Sequence, residues 1–372
     1  MNNSRTALDR AEHQLLLRCA RTEEVPIRDI ATDKIDWNYF SLLARRHAVV
    51  PLVYRRLAVP SLKQQFIENS ARNTVLTAEL CHLINLLRSA GIEAIPYKGP
   101  VLALVAYGDL ALRRFVDLDV IVKKSDVPRA RDLLLSDDYA LTKPLTPAQE
   151  QLLLRTQHNL QFARDQRRLL VELHWEVAPH LFASAVQEEH LWRNLVTIDV
   201  NGTTMKTLAP DDLLFSLCVH GSRHLWERLG WICDIAELIA RHQLDWSALL
   251  KRAADTDGER MFLLGLYLAQ ELLQATLPCE VKERCAADAR LESLATTITE
   301  HLFNGPTHVP ATSREIFKYN IGVRKTLPAR ARYLAYMLRP TDGDVASHSL
   351  PNFAYYLARP LRLLFKTKTH GV

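Results

Sequence analysis

Asp117 and Asp119 lie two residues apart in the apolar, β-branched run Val116-Asp117-Leu118-Asp119-Val120-Ile121-Val122. Side chains alternate across a strand, so both carboxylates project from one face. The competing reading, a solvated edge strand, is countered by the flanking Val116, Val120, Ile121 and Val122. Like charges side by side on a buried strand need a counter-ion, and a divalent cation supplies one. Hard oxygen ligands suit magnesium, which commonly works on phosphates. A two-metal site needs a third acid on a neighbouring strand. Val171-Glu172-Leu173-His174-Trp175 offers Glu172, on the same face of its strand as His174.

These residues suggest roles. Asp117 and Asp119 would hold metal and phosphate, and Glu172 would complete the catalytic metal site or take a proton from an attacking hydroxyl. Upstream, Tyr97-Lys98-Gly99-Pro100 adds a cation and a glycine. Lys98 and Arg113 are expected to offset charge growing on a triphosphate. Gly99 would let the backbone approach a phosphate, with free N–H groups at the helix start that follows. His220 and His224 sit four apart on an expected helix, a spacing that can bind zinc, but the glutamate of a metalloprotease helix is missing between them. They are expected to pack the helical region onto the core or to contact the second substrate. His174 is either a site residue or a satisfied core histidine. Asp234 is expected in a buried pair or cap that orients Arg or His neighbours.

The elements that must position these groups follow from periodicity. Residues 1–90 read as helices, with Leu76, Leu80, Leu83, Ile84 and Leu87 on one side of a helix spanning 73–90 and stopped by Gly91. Residues 91–208 read as a small mixed sheet with helices: strands at 92–97, 116–122, 159–163 and 169–174, a helix opened by Ser125-Asp126, and a hairpin about Asn201-Gly202. Residues 209–340 read as a second helical region beginning at Pro210-Asp211-Asp212. Residues 341–372 read as a linker and a basic terminal helix over 355–368, expected to dock on the protein, with an anionic membrane surface as the alternative. The fold class is therefore α+β, with helical regions on both sides of a small mixed sheet.

Composition narrows the partners. The chain has 372 residues, 48% hydrophobic and 24% charged, with a net charge of +5, which suits a nucleotide and is too small to argue for a nucleic-acid groove. Six scattered cysteines form no CxxC pair, and no apolar run of spanning length occurs, so a cytoplasmic protein with reduced thiols is expected.

Taken together, Lys98-Gly99, then Arg113-x-x-x-Asp117-x-Asp119, then Glu172-Leu173-His174-Trp175 resemble the bacterial uncharacterised nucleotidyltransferase family of the polymerase-β-like superfamily. The likeness continues through Leu208-Ala209-Pro210-Asp211-Asp212-Leu213-Leu214 and His220-Gly221-Ser222-Arg223-His224-Leu225-Trp226, with Leu229, Trp231 and Asp234 following, and so covers roughly residues 40 to 240. The resemblance implies a magnesium-dependent enzyme moving a nucleoside monophosphate from an NTP to an acceptor, a small molecule, peptide or protein. One departure is Gly99-Pro100, where the wider superfamily has Gly-Ser or Gly-Gly. It supports the alternative expectation, a non-catalytic nucleotide-binding regulator or scaffold.

Overall fold

The computed structural model describes residues 8–339, apart from 24–25, 28–29, 31, 167 and 178–187. The linker and the basic segment expected at 341–372 lie outside the described residues. No helix among those described is long and apolar enough to cross a membrane.

Four helices come first: α1 (Ala11–Cys19), α2 (Trp37–Arg46), α3 (Val50–Leu57) and α4 (Lys63–Ser89). Asp36 caps α2 by accepting from the N–H groups of Asn38 and Tyr39 at 3.0 Å each. The turn Pro60–Leu62 feeds directly into α4, which therefore starts ten residues before the apolar stripe that reveals it in the sequence. Gly91 ends it in the left-handed region: its N–H donates to Arg88 O at 3.0 Å, and that of Ile92 donates to Leu87 O at 2.9 Å. This pair of bonds satisfies carbonyls that the helix leaves open.

The sheet follows, with strands β1 (Ala94–Pro96), β2 (Leu118–Val122), β3 (Ala140–Leu141), β4 (Asn159–Arg164) and β5 (Leu169–His174) in the order β1-β2-β5-β4-β3. It is mixed: β2 and β5 run parallel and the other neighbours antiparallel. Helices α5 (Val127–Ser136) and α6 (Pro147–Thr156) are interleaved with the strands. Asp126, the expected cap of α5, instead accepts from Arg129 at 2.9 Å. The separate hairpin of β6 (Leu195–Val200) and β7 (Thr203–Leu208) turns at Asn201-Gly202, both at positive φ as a two-residue turn requires. Thr207 Oγ1 ties it to the sheet by donating to Pro96 O at 2.6 Å.

The alternation of side chains gives the sheet two unlike faces. Leu118, Val120, Val122, Leu160, Phe162, Val171 and Leu173 face one way and form a core with Leu76, Leu80, Leu83 and Leu87 of α4, Val127, Ala130 and Leu134 of α5, and Leu152 and Leu153 of α6. Asp119, Asn159, Gln161, Glu172 and His174 are on the other face, paired across the register Asp119–Glu172, Gln161–Glu172 and Asn159–His174.

The helices after the sheet are α7 (Pro210–Arg223), α8 (Leu229–Arg241), α9 (Trp246–Ala254), α10 (Glu259–Leu273), α11 (Cys279–Ala286), α12 (Leu291–Leu302), α13 (Ser313–Gly322) and α14 (Leu327–Met337). They share a single core with α1 to α3 from the start of the chain. Thr22 N–H donates to Glu237 Oε1 at 2.8 Å, and Arg21 donates to Leu273 O at 2.7 Å. Between α7 and α8, Leu225 and Trp226 both take positive φ, and the buried Trp226 ring folds back on Gly221, where a Cβ would meet it at 2.3 Å.

His47, at the end of α2, is buried where the two helical sets meet. Its Nδ1 accepts from Leu229 N–H at 3.2 Å and its carbonyl from Gly230 N–H at 3.0 Å. Burial, helped by the Arg46 charge, pushes its pKa down to about 3. The unfolded chain binds this proton near pH 6.5 and the folded chain does not, so the neutral imidazole supports the fold above pH 6.5 and that support is lost as pH falls toward 3. At pH 5 the cost from this residue is about 2 kcal/mol. Unfolding monitored at pH 7 and pH 5 should show a smaller difference for His47→Gln than for the natural chain; an equal difference would exclude His47 as the source.

Candidate functional site

The carboxylate face of the sheet and the helices α7 and α8 enclose a cavity of about 620 Å³. Asp117, Asp119, Glu172, His174, Lys98, Arg113, His220 and His224 all line it. Gly99 is not among the lining residues.

Asp119 is the most deeply buried of the acids. Its Oδ1 accepts from Lys98 Nζ at 2.9 Å and from His174 Nε2 at 3.1 Å. Burial pushes this carboxyl up, but the Lys98 ammonium and His174 outweigh it and hold the group well below the usual carboxylate range. Lys98 responds oppositely: burial favours its neutral form, and the Asp119 charge overrides that and raises it. Glu172 is held by Asn159 Nδ2 at 3.0 Å and Gln161 Nε2 at 2.7 Å, and His174 Nε2 lies 3.2 Å from its Oε2. Burial acts to raise Glu172, and the bond and charge of His174 bring it down to about 2. The parallel register puts Glu172 directly beside Asp119, so one carboxylate oxygen of each and a His174 nitrogen lie within 4.8 Å of one another.

Asp117 precedes β2, which begins at Leu118 rather than at Val116, and lines the cavity outside the close Asp119, Glu172 and His174 group. No donor is on its carboxylate among the described residues. Burial and the Asp119 and Glu172 charges push it up to about 6. Asp119 and Glu172 form the close pair of carboxylates, and Asp117, outside that group, lines the same cavity; oxygen donors of this kind match a hard divalent cation. His174 already serves the acids as a hydrogen-bond donor, and its other nitrogen, Nδ1, is buried without a partner.

Arg113 takes a different place from the one its charge suggests. Its Nε and Nη2 donate to the two oxygens of Asp234 at 2.9 and 3.0 Å, and Tyr107 OH donates to the same carboxylate at 2.8 Å. This buried fork ties the segment leading into β2 to α8. Gly99 also answers to the fold: it has φ +52°, and a Cβ there would lie 3.3 Å from Asp117 O. Its open side is thus filled by the protein's own backbone, and the helix it starts has only four residues, Gly99–Leu102.

His220 and His224 stand on the opposite wall, ring centroids 4.7 Å apart, and each packs on Trp231 at 5.3 and 5.5 Å. Burial, helped by nearby Lys98 and Arg223, pushes both down, His224 to about 3, so both are neutral. His158, Asn159, Gln161 and Arg223 line the same cavity without having been singled out in the sequence. Asn159-x-Gln161 has the same alternation as Glu172-x-His174 on the adjacent strand, a signal visible once the two strands are paired.

The profile of the uncharacterised nucleotidyltransferase family matches residues 33–274. No curated protein matches the chain. Among solved structures, an antigenic nucleotidyltransferase-like protein from Paracoccidioides brasiliensis is similar at 19% identity, covering 56% of this chain and 94% of that one with a TM-score of 0.33.

Removing one partner of a buried ion pair strands the other. Asp234→Ala should therefore cost about 3–5 kcal/mol in denaturant unfolding. A loss below 1 kcal/mol would show that the Arg113 fork does not hold α8 to the sheet.

Proposed function

The chain belongs to the uncharacterised nucleotidyltransferase family, and from that premise we propose that it is a magnesium-dependent enzyme transferring a nucleoside monophosphate from an NTP to an acceptor hydroxyl. The observation that supports this reading is that Asp117, Asp119 and Glu172 line a single cavity, in which Asp119 and Glu172 bring ligand atoms within 4.8 Å of each other and of His174. A cavity of about 620 Å³ falls in the range that takes a nucleotide-sized ligand.

Asp117, Asp119 and Glu172 are the residues that would hold magnesium. When bound, the ion supplies charge to the phosphate oxygens and lowers the pKa of a coordinated hydroxyl. The protein's own groups prepare the wall for that task. Lys98 and His174 fix the orientation of Asp119, and Asn159 and Gln161 fix Glu172. Both Lys98 and His174 donate to the same oxygen, Oδ1, and among the described residues no donor is on Oδ2.

In the reaction, the acceptor oxygen attacks the α-phosphorus and forms the new P–O bond. The bond from that phosphorus to the bridging oxygen breaks, and pyrophosphate leaves with its electron pair. The hydroxyl proton passes to a carboxylate of the acid wall or to solvent. The walls of the cavity come from two parts of the fold, a common location for two substrates to meet. His220 and His224 would contact the acceptor.

Each labelled NTP, incubated with magnesium and candidate acceptors, should release pyrophosphate and transfer label. Asp119→Asn and Glu172→Gln should each lower the rate more than about 100-fold, beyond the loss from a residue that merely supports a ligand. Chelating the metal should stop the reaction. Nucleotide binding without pyrophosphate release, across all four NTPs, would favour the non-catalytic alternative.

A further inference from the structure

Apart from Lys143, the lysines and arginines that line the cavity divide into two groups. Lys98 is engaged by Asp119 and Arg113 by Asp234. The other group is Arg114 in the segment before β2, Arg223 at the end of α7 and Arg228 just before α8. None of these three arginines has a carboxylate partner among the described residues. Arg223 Nη1 donates to His158 Nε2 at 2.9 Å, a neutral acceptor. Arg228 lies over the Trp231 ring, 5.7 Å from its centroid. The neighbouring acid, Glu227, reaches His308 at 3.9 Å.

Arg114 and Arg228 are exposed and Arg223 is half-buried, so their guanidinium donors are open to an anionic ligand entering the cavity. Desolvation and the Arg228 and Arg72 charges lower the pKa of Arg114. His158, buried at 4% exposure, accepts from Arg223 through Nε2 and so orients this guanidinium, whose other N–H groups remain for an acceptor.

We propose that Arg114, Arg223 and Arg228, with His158 orienting Arg223, bind the polyphosphate chain of the nucleotide. This rests on the transferase reading only for the identity of the polyphosphate as that of an NTP. The planar guanidinium fork matches phosphate oxygens, and three of them would hold the leaving pyrophosphate as its charge develops. The arrangement also explains how a site whose Lys98 and Arg113 are already paired can accept a highly charged ligand.

Inorganic tripolyphosphate, titrated calorimetrically into the full chain with and without magnesium, tests this. Arg114→Gln, Arg223→Gln and Arg228→Gln should each weaken binding about tenfold, the loss of a charge-assisted hydrogen bond, with circular dichroism unchanged. Arg223→Lys should recover part of the affinity, which a purely structural role for the fork would not give. Tripolyphosphate should be displaced by NTPs and not by nucleosides. Unchanged binding in all three Gln variants overturns the proposal, as does tripolyphosphate that binds without competing with any NTP, since the anion site would then belong to the acceptor. Arginine-dependent binding with no pyrophosphate release leaves the anion site standing and removes the transferase; release that persists with arginine-independent binding does the reverse.

Discussion

Asp119 Oδ1 receives Lys98 from one side and His174 from the other. A lone ionised carboxylate at that depth would cost several kcal/mol, so the acid wall exists only where such donors are delivered to it. The strand order delivers them. Lys98 follows β1 by two residues and His174 ends β5, and β1 and β5 are the two neighbours of β2. β2 carries the acid, β5 carries one of its donors, and the chain just after β1 delivers the other. The apolar opposite face, packed on α4, α5 and α6, fixes the register that makes this meeting possible: a slip of one residue would turn every acid into the hydrocarbon core.

The second wall is set by a different constraint. The fork of Arg113 and Tyr107 on Asp234 connects the approach to β2 with α8, so the acids and the helical wall keep one spacing. The connection from α7 to α8, with Leu225 and Trp226 in the left-handed region and the indole seated on Gly221, lies between Arg223 and Arg228. Pocket chemistry therefore depends on a turn whose residues are themselves part of the helical core.

Much of this was legible in the chain itself. Alternation exposed the two faces of β2 and β5, Asn201-Gly202 marked the hairpin, and Gly91 marked the end of α4, because each is a local steric or packing rule written in neighbouring residues. The short β3 and the helix α6 escaped: β3 has two residues, too few for a period, and α6 shows its apolar face only against a sheet that must form first. The partner of Arg113 escaped for another reason. Asp234 is 121 positions away, and nothing near Arg113 distinguishes a phosphate-facing guanidinium from one spent on a carboxylate. Gly99 was read for its freedom to meet a ligand, whereas the close neighbour is Asp117 O; a positive φ is common to both uses.

The shared core of α1 to α3 with the helices after the hairpin has a bearing on how the chain is made. During synthesis α1 to α3 emerge and must wait for α7, α8 and α10, the last of which is complete about 215 residues after α3 and so, at ordinary elongation rates, about 10 to 45 s later. Over that interval Leu15, Leu16, Phe40, Leu43 and Val53, all fully buried in the finished protein, have no complete surface to cover them. The sheet with α4, α5 and α6 has its own core and is complete earlier, so the ribosome releases a finished middle before a finished shell. A translational pause within residues 91–208 would prolong that exposure.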